Sequence, residues 1–229
     1  MEHKHKTFDL ELSELRTKVN RMGELVIEQL ERALVCLKEH DVGDARIIIE
    51  RDINVNRTDI DVEEMCLQFL ALHQPVAGDL RFITAAMKIT TELERIGDRV
   101  VNICEAVAYG GAHDPVPTDA QVLQIGKLAA AMVRDAMAAF ARSDAALVKP
   151  VWERDKEFDA LYSHVFPNLI TSWAKDLGRI ARDAKLALLS KDLNEISEHA
   201  TNIAEMVMFM VEGKELSHMD MHERRPRPD

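Results

Sequence analysis

Oxygen-bearing side chains stand four residues apart at four places in the chain: Asp52/Asn56, Glu94/Asp98, Asp155/Asp159 and Asn194/Glu198. On a helix such positions share a face, and like charges there cost about 0.2–0.5 kcal/mol unless something neutralises them. Carboxylate and amide oxygens gathered from two neighbouring helices form a hard ligand set, suited to Mg, Mn, Ca or Fe and less well to Zn. Chance alone supplies many such pairs. Forty acids in 229 residues give roughly seven acidic i, i+4 pairs at random, so one pair by itself reads as a solvated face.

An internal duplication changes those odds. Residues 93–107, Leu-Glu-Arg-Ile-Gly-Asp-Arg-Val-Val-Asn-Ile-Cys-Glu-Ala-Val, align with residues 193–207, Leu-Asn-Glu-Ile-Ser-Glu-His-Ala-Thr-Asn-Ile-Ala-Glu-Met-Val, at an offset of 100 with six identities in fifteen. About one identity is expected by chance. Glu50-Arg51-Asp52 repeats as Glu153-Arg154-Asp155 at an offset of 103. Polar pairs at equivalent places in two repeats are not what independent solvated faces preserve. Each repeat thus supplies three carboxylates and one amide: Asp52, Glu94 and Asp98 with Asn56, and Asp155, Asp159 and Glu198 with Asn194.

The elements that carry these residues read as helices. Apolar residues recur every three or four positions over residues 8–40, through Leu12, Leu15, Val19, Met22, Val26, Leu30, Ala33 and Leu37, the pattern of one long amphipathic helix. A second helix follows the break at residues 41–44 and runs to His73. A third follows Pro75-Val-Ala-Gly-Asp79 and ends at Gly110-Gly111. Residues 110–119 hold two glycines, two prolines and two acids, the composition of a linker. Beyond it the pattern predicts helices over about 119–142, 143–173 and 175–212, with Ser143 and Asp144 as caps and a kink at Pro167. The expected fold is all-α: two tandem three-helix bundles related by a pseudo-twofold, with residues 1–110 as the first bundle, 111–118 as linker, 119–213 as the second bundle and 214–229 as a tail.

Composition agrees. Hydrophobic residues are 47% and charged residues 30%, with only 16 Gly and Pro in total, too few for the turns of an all-β fold. The net charge of −11 has the wrong sign for a nucleic-acid partner. No uncharged stretch reaches the ~20 residues of a bilayer span, and no secretory signal is visible, so a cytoplasmic location is expected. Cys36, Cys66 and Cys104 are widely spaced among apolar neighbours and read as buried reduced thiols. None of the phosphate-loop, dinucleotide, nucleophile-elbow or zinc-protease motifs occurs, so a non-enzymatic role leads. Asp79 and Arg81, at the start of the third helix, either cap it or dock a partner. Arg95 and Arg99 flank the first carboxylates and can neutralise them without a metal. His73, before Pro75, reads as a loop histidine.

The run Pro75-Val-Ala-Gly-Asp-Leu-Arg81, followed by Leu93-Glu-Arg-Ile-Gly-Asp98 and Asn102-Ile103, resembles the first signature of the PhoU family; Ala200-Thr-Asn-Ile-Ala-Glu205 and Val211-Glu-Gly213 resemble its second. The similarity spans about residues 8–213. It implies two three-helix bundles whose acidic motifs face outward and can hold iron or zinc clusters, while the hard oxygen donors themselves admit Mn or Mg. The family motif falls on Asp52, Glu94 and Asp98 in the first repeat and on Asp155, Asp159 and Glu198 in the second. Asn56 and Asn194 stand where acids are expected, and Ser197-Glu198 replaces Gly-Asp, so weakened metal binding is expected here. The implied role is a cytoplasmic, homodimeric negative regulator of phosphate uptake and of the phosphate-starvation response. Its implied partners are the ATP-binding subunit of the phosphate transporter and a sensor histidine kinase, with the membrane reached through partners only. The alternative is a carboxylate metal protein acting as a store, a sensor or a metal-dependent hydrolase.

Overall fold

The computed structural model of the chain describes residues 2–110, 117 and 119–213, with side chains from Phe8 onward. Pro117 apart, the expected linker at 111–118 lies outside the described residues, as does the whole of the expected tail at 214–229. Every regular element among the described residues is helical: α1 (Glu2–Glu39), α2 (Val42–Arg51), α3 (Ile53–His73), α4 (Ala77–Tyr109), α5 (Ala120–Arg142), α6 (Lys149–Tyr162), α7 (Val165–Lys175) and α8 (Ile180–Glu212), with 3₁₀ turns at Ala145–Val148 and Leu177–Arg179. The first bundle is α1, α2/α3 and α4; the second is α5, α6/α7 and α8. They lie side by side, with α4 packed along α8 and α1 along α5.

The periodicity that predicts α1 is the periodicity of its burial. Leu15, Val19, Met22, Val26, Leu30, Ala33 and Leu37 are all sealed from solvent, which is what a 3–4 apolar spacing produces when one face meets a core. Leu93 and Leu193, the first residues of the aligned repeats, are both fully buried on the two central helices. At Gly126 on α5, an added Cβ would come within 2.5 Å of Leu34 on α1, so the small residue lets the two bundles approach there. No helix among the described residues is long and apolar enough to cross a membrane.

Three expected boundaries are corrected. The second predicted helix is two, α2 and α3, broken at Asp52, where the backbone N–H bonds to Ile49 O three residues back, a tighter 3₁₀-type step. The fifth is also divided: a 3₁₀ turn precedes α6, and the chain breaks again at Ser163-His164 before α7. That break is the work of Pro167, whose ring has no N–H and clashes with the carbonyl four residues earlier, at Ser163. The sixth starts at Ile180, not at residue 175, because Asp176 closes a separate turn by accepting a hydrogen bond from the Gly178 N–H at 2.9 Å. Asp144 does cap, accepting from the Ala146 N–H at 2.9 Å, while Ser143 ends α5 in the left-handed conformation.

Candidate functional site

The break at Asp52 has a local consequence. It turns the Asp52 side chain inward against α4, leaving the residue only 7% exposed. The carboxylate lies over Gly97, where an added Cβ would meet Asp52 Oδ1 at 2.9 Å and Val55 Cγ1 at 3.3 Å. Only a residue without a Cβ leaves that room. Asn56, one turn along α3, donates from Nδ2 to Asp52 Oδ2 at 3.2 Å. Asp52 Oδ1 and Asn56 Oδ1 are buried without a protein hydrogen-bond partner, an arrangement that costs free energy unless something else satisfies the oxygens.

Glu94 and Asp98 border Gly97 on α4, and the four predicted residues of the first repeat therefore share one locality. Its burial and charge act on the carboxyls. Burial pushes the Asp52 carboxyl up, and the Asp98 charge adds to it against the Asn56 hydrogen bond. Burial likewise raises Glu94, with Asp98, Asp59 and Asp52 adding to it. Asp59, which stands outside the four repeated pairs, is a further member; it lies seven residues after Asp52, two turns along the same face. Arg95 pairs with Glu92 at 3.6 Å while its charge opposes the rise of Glu94, and Arg99 is drawn away to Asp192 and Glu195 at 3.7 and 3.2 Å.

The second repeat is arranged differently. Ser197 occupies the place of Gly97, buried, with its hydroxyl donating to Asn194 O at 2.8 Å. Asp155 is half-buried and accepts from Thr201 Oγ1 at 3.5 Å. Asn194 Nδ2 donates to Glu198 Oε1 at 2.9 Å, so these two satisfy each other along α8. Tyr162, at the end of α6, has its hydroxyl raised by burial and by the Glu198 charge, which brings Glu198 toward that end of the bundle. Asp159 is half-buried on α6. In neither repeat do three His, Cys, Asp or Glu side chains among the described residues converge closely enough to hold a metal ion by themselves.

Asp79 and Arg81 separate in role. The N-cap of α4 is Val76, without a side-chain cap, and Asp79 sits in the first turn, where a negative charge favours the helix dipole. Arg81 reaches across to the far end of the second bundle. Its Nε donates to Met210 O at 3.4 Å and its guanidinium lies beside Gly213, the left-handed C-cap of α8. It thus covers carbonyls that a helix end leaves unpaired. His73 is the last residue of α3, its Nε2 3.2 Å from Glu11 Oε2 and its ring against Phe8 and Phe69. All three cysteines are buried and free, and burial pushes each thiol up to about 12, which removes them as nucleophiles at neutral pH.

The α4–α8 seam carries polar contacts that acid-pair spacing does not reveal. Glu92 Oε2 lies 2.7 Å from His199 Nδ1 and accepts from Asn202 Nδ2 at 2.9 Å. At the pseudo-equivalent place, Asp192 accepts from Asn102 Nδ2 at 3.1 Å and faces Arg99. Glu92 and Asp192, and Asn102 and Asn202, are each 100 residues apart, so the repeat offset is the signal that exposes this reciprocal clasp. Burial would raise Glu92, but the bonds from His199 and Asn202 and the neighbouring positive charge hold it below the usual range. In Asp192 burial prevails over Asn102 and Arg99, and the carboxyl is raised.

Comparison with known proteins covers both halves. The PhoU domain model matches residues 19–107 and again residues 122–207. Relatives named phosphate-specific transport system accessory protein PhoU homolog include one from Xylella fastidiosa, strain 9a5c, 33% identical over 93% of this chain and 90% of its own, and one from Pseudomonas putida, 35% identical over 96% and 86%. The crystal structure of PhoU from Pseudomonas aeruginosa superposes with a TM-score of 0.86 at 33% identity, covering 90% of this chain and 100% of that one. The phosphate transport system regulatory protein PhoU from Streptococcus pneumoniae superposes at 0.83 with 29% identity, over 92% and 99%. With its two domain matches, one on each three-helix bundle, the chain belongs to the PhoU family.

Proposed function

We propose that this chain is a negative regulator of phosphate uptake and of the phosphate-starvation response, acting in the cytoplasm as an adaptor between the phosphate transporter's ATP-binding subunit and its sensor histidine kinase. The observation that carries the reading is similarity over nearly the full length, through both bundles, to relatives named as accessory proteins of phosphate-specific transport. The sealed thiols and the absence of the familiar catalytic motifs support an adaptor over an enzyme. A homodimer, two domains divided near residues 111–118 and docking through Asp79 belong to the same proposal. Asp79 is the better docking residue of the predicted pair, because Arg81 already closes α8. Co-purification with the ATP-binding subunit and the kinase tests this: Asp79→Ala should reduce capture while helical content stays unchanged, since a first-turn acid contributes only about 0.3–1 kcal/mol. Undiminished capture would remove Asp79 from the docking face.

A second reading, metal binding as a store or sensor, is favoured by one observation: the unpaired oxygens of Asp52 and Asn56 beside Gly97. Asp52, Asn56, Glu94 and Asp98 offer hard donors for Mn, Mg or Fe, with Zn less suited, and water would have to complete the shell. The second repeat offers fewer open donors, since Asn194 and Glu198 are bonded to each other. Calorimetry with Mn should show weak binding that Asn56→Asp tightens and Asp52→Asn abolishes; affinity indifferent to both changes would show that these residues are not ligands.

A further inference from the structure

Two exposed apolar stripes stand out on the surface, and their charged surroundings differ in sign. On α3, Ile53, Ile60 and Leu67 are spaced by seven and exposed, with Asp61, Glu63 and Glu64 among them. The other begins on α7. Phe166 and Ile170 share one of its faces four residues apart, 55% and 48% exposed, and Trp173 packs edge-on against Phe166. The chain then runs through a stretch, residues 174–182, in which every residue is exposed, including Leu177 at 75% and Ile180 at 43%. Lys175, Arg179 and Arg182 lie in that same stretch, and its one acid, Asp176, is turned back to cap Gly178.

Large apolar side chains left in water across so short a segment are a cost that a binding surface recovers. A chain of net charge −11 that gathers three cations around them selects a negatively charged occupant. The cavity beside this segment lies on the inward side of α7, lined by Val165, Leu169 and Leu186 with Arg179 and Asp183 at its edge, whereas Phe166, Ile170, Leu177 and Ile180 lie outside that lining and are exposed. A lipid surface accepts such side chains one by one at the level of its headgroups, with aromatic and aliphatic residues buried and cations at the phosphates. The acid on the rest of the molecule does not prevent this, because beyond roughly 8–10 Å it is screened.

We propose that the outer face of α7 and the turn into α8 is a docking surface for an anionic lipid bilayer, so that the protein touches the membrane directly and not solely through its protein partners. The α3 stripe, flanked by acids, is excluded from that role. Sedimentation of the full chain with vesicles tests it, using phosphatidylcholine alone against equal parts phosphatidylcholine and phosphatidylglycerol. The chain should sediment with the anionic vesicles, not with the neutral ones, and should be released by salt. The triple change Lys175→Glu, Arg179→Glu and Arg182→Glu should weaken binding on the order of a hundredfold. Leu177→Ser, a single change in an exposed turn that leaves the helices intact, should weaken it as well, whereas Ile60→Ser on α3 should leave it unchanged. No binding to anionic vesicles would overturn the proposal and leave the face to an acidic protein partner. Equal binding to neutral vesicles, or undiminished binding by the triple variant and by Leu177→Ser, would overturn it too.

Discussion

The acidic positions of the two repeats are set apart by what stands beside them on the central helix, a glycine in one and a serine in the other. At residue 97 a glycine leaves space for the Asp52 carboxylate to sink against α4; at residue 197 a serine fills the corresponding space and bonds to its own helix. The results are a buried acid with an orphaned oxygen in one half and a half-buried acid with a hydroxyl partner in the other. Duplication has preserved the helices and let the polar chemistry diverge. The first repeat keeps buried oxygens without a protein partner, whereas in the second Asn194 bonds Glu198 and Thr201 bonds Asp155.

Exchanging the two residues should break the comparison most sharply. Gly97→Ser must push Asp52 and Val55 aside, and overpacking of this kind costs about 1–3 kcal/mol. The reverse change, Ser197→Gly, meets no clash and should cost about 1 kcal/mol or less through helix propensity. Urea unfolding of both variants measures the difference, and equal costs would mean that the two sites are not distinguished by that Cβ.

A smaller effect sharpens the contrast through pH. Asp52 and Glu94 have raised carboxyls, so the folded state binds their protons more readily than the unfolded chain does. Their contribution to stability therefore grows as pH falls from neutral through their folded values. Glu92 is depressed, so its contribution is present above the ordinary glutamate value and is lost as pH falls through its folded value. Asp52→Asn should flatten the acid-side gain and raise stability at neutral pH by about 1 kcal/mol, while Glu92→Gln should lower it by about 1–2 kcal/mol by weakening charge-assisted bonds. Stability measured from neutral to mildly acid pH checks both signs, and parallel profiles for the two variants would contradict them.

Much of the fold is legible in the sequence alone. The buried face of α1 follows its 3–4 spacing from Leu15 to Leu37, with Leu12 half-buried, and the offset of 100 pairs Leu93 with Leu193; the same offset relates Glu92 to Asp192, one residue before the aligned stretch and outside the acid-pair spacing. What was not legible depends on tertiary contact. The break at Asp52 carries no proline or glycine to announce it, and its reason, a carboxylate turned onto Gly97, exists only once α4 is alongside. Pro167 did announce a kink, but the break falls at Ser163-His164 because a proline acts on the carbonyl four residues behind it. Arg81 could not be read as the cap of α8 because the two residues it joins are 129 positions apart.

Phosphate uptake in cells that lack this protein tests the central claim most directly. Deletion should raise uptake in phosphate-replete medium and leave the starvation response switched on, and restoring the wild-type chain should reverse both. Uptake and starvation response unchanged by deletion would contradict a regulatory role in phosphate transport.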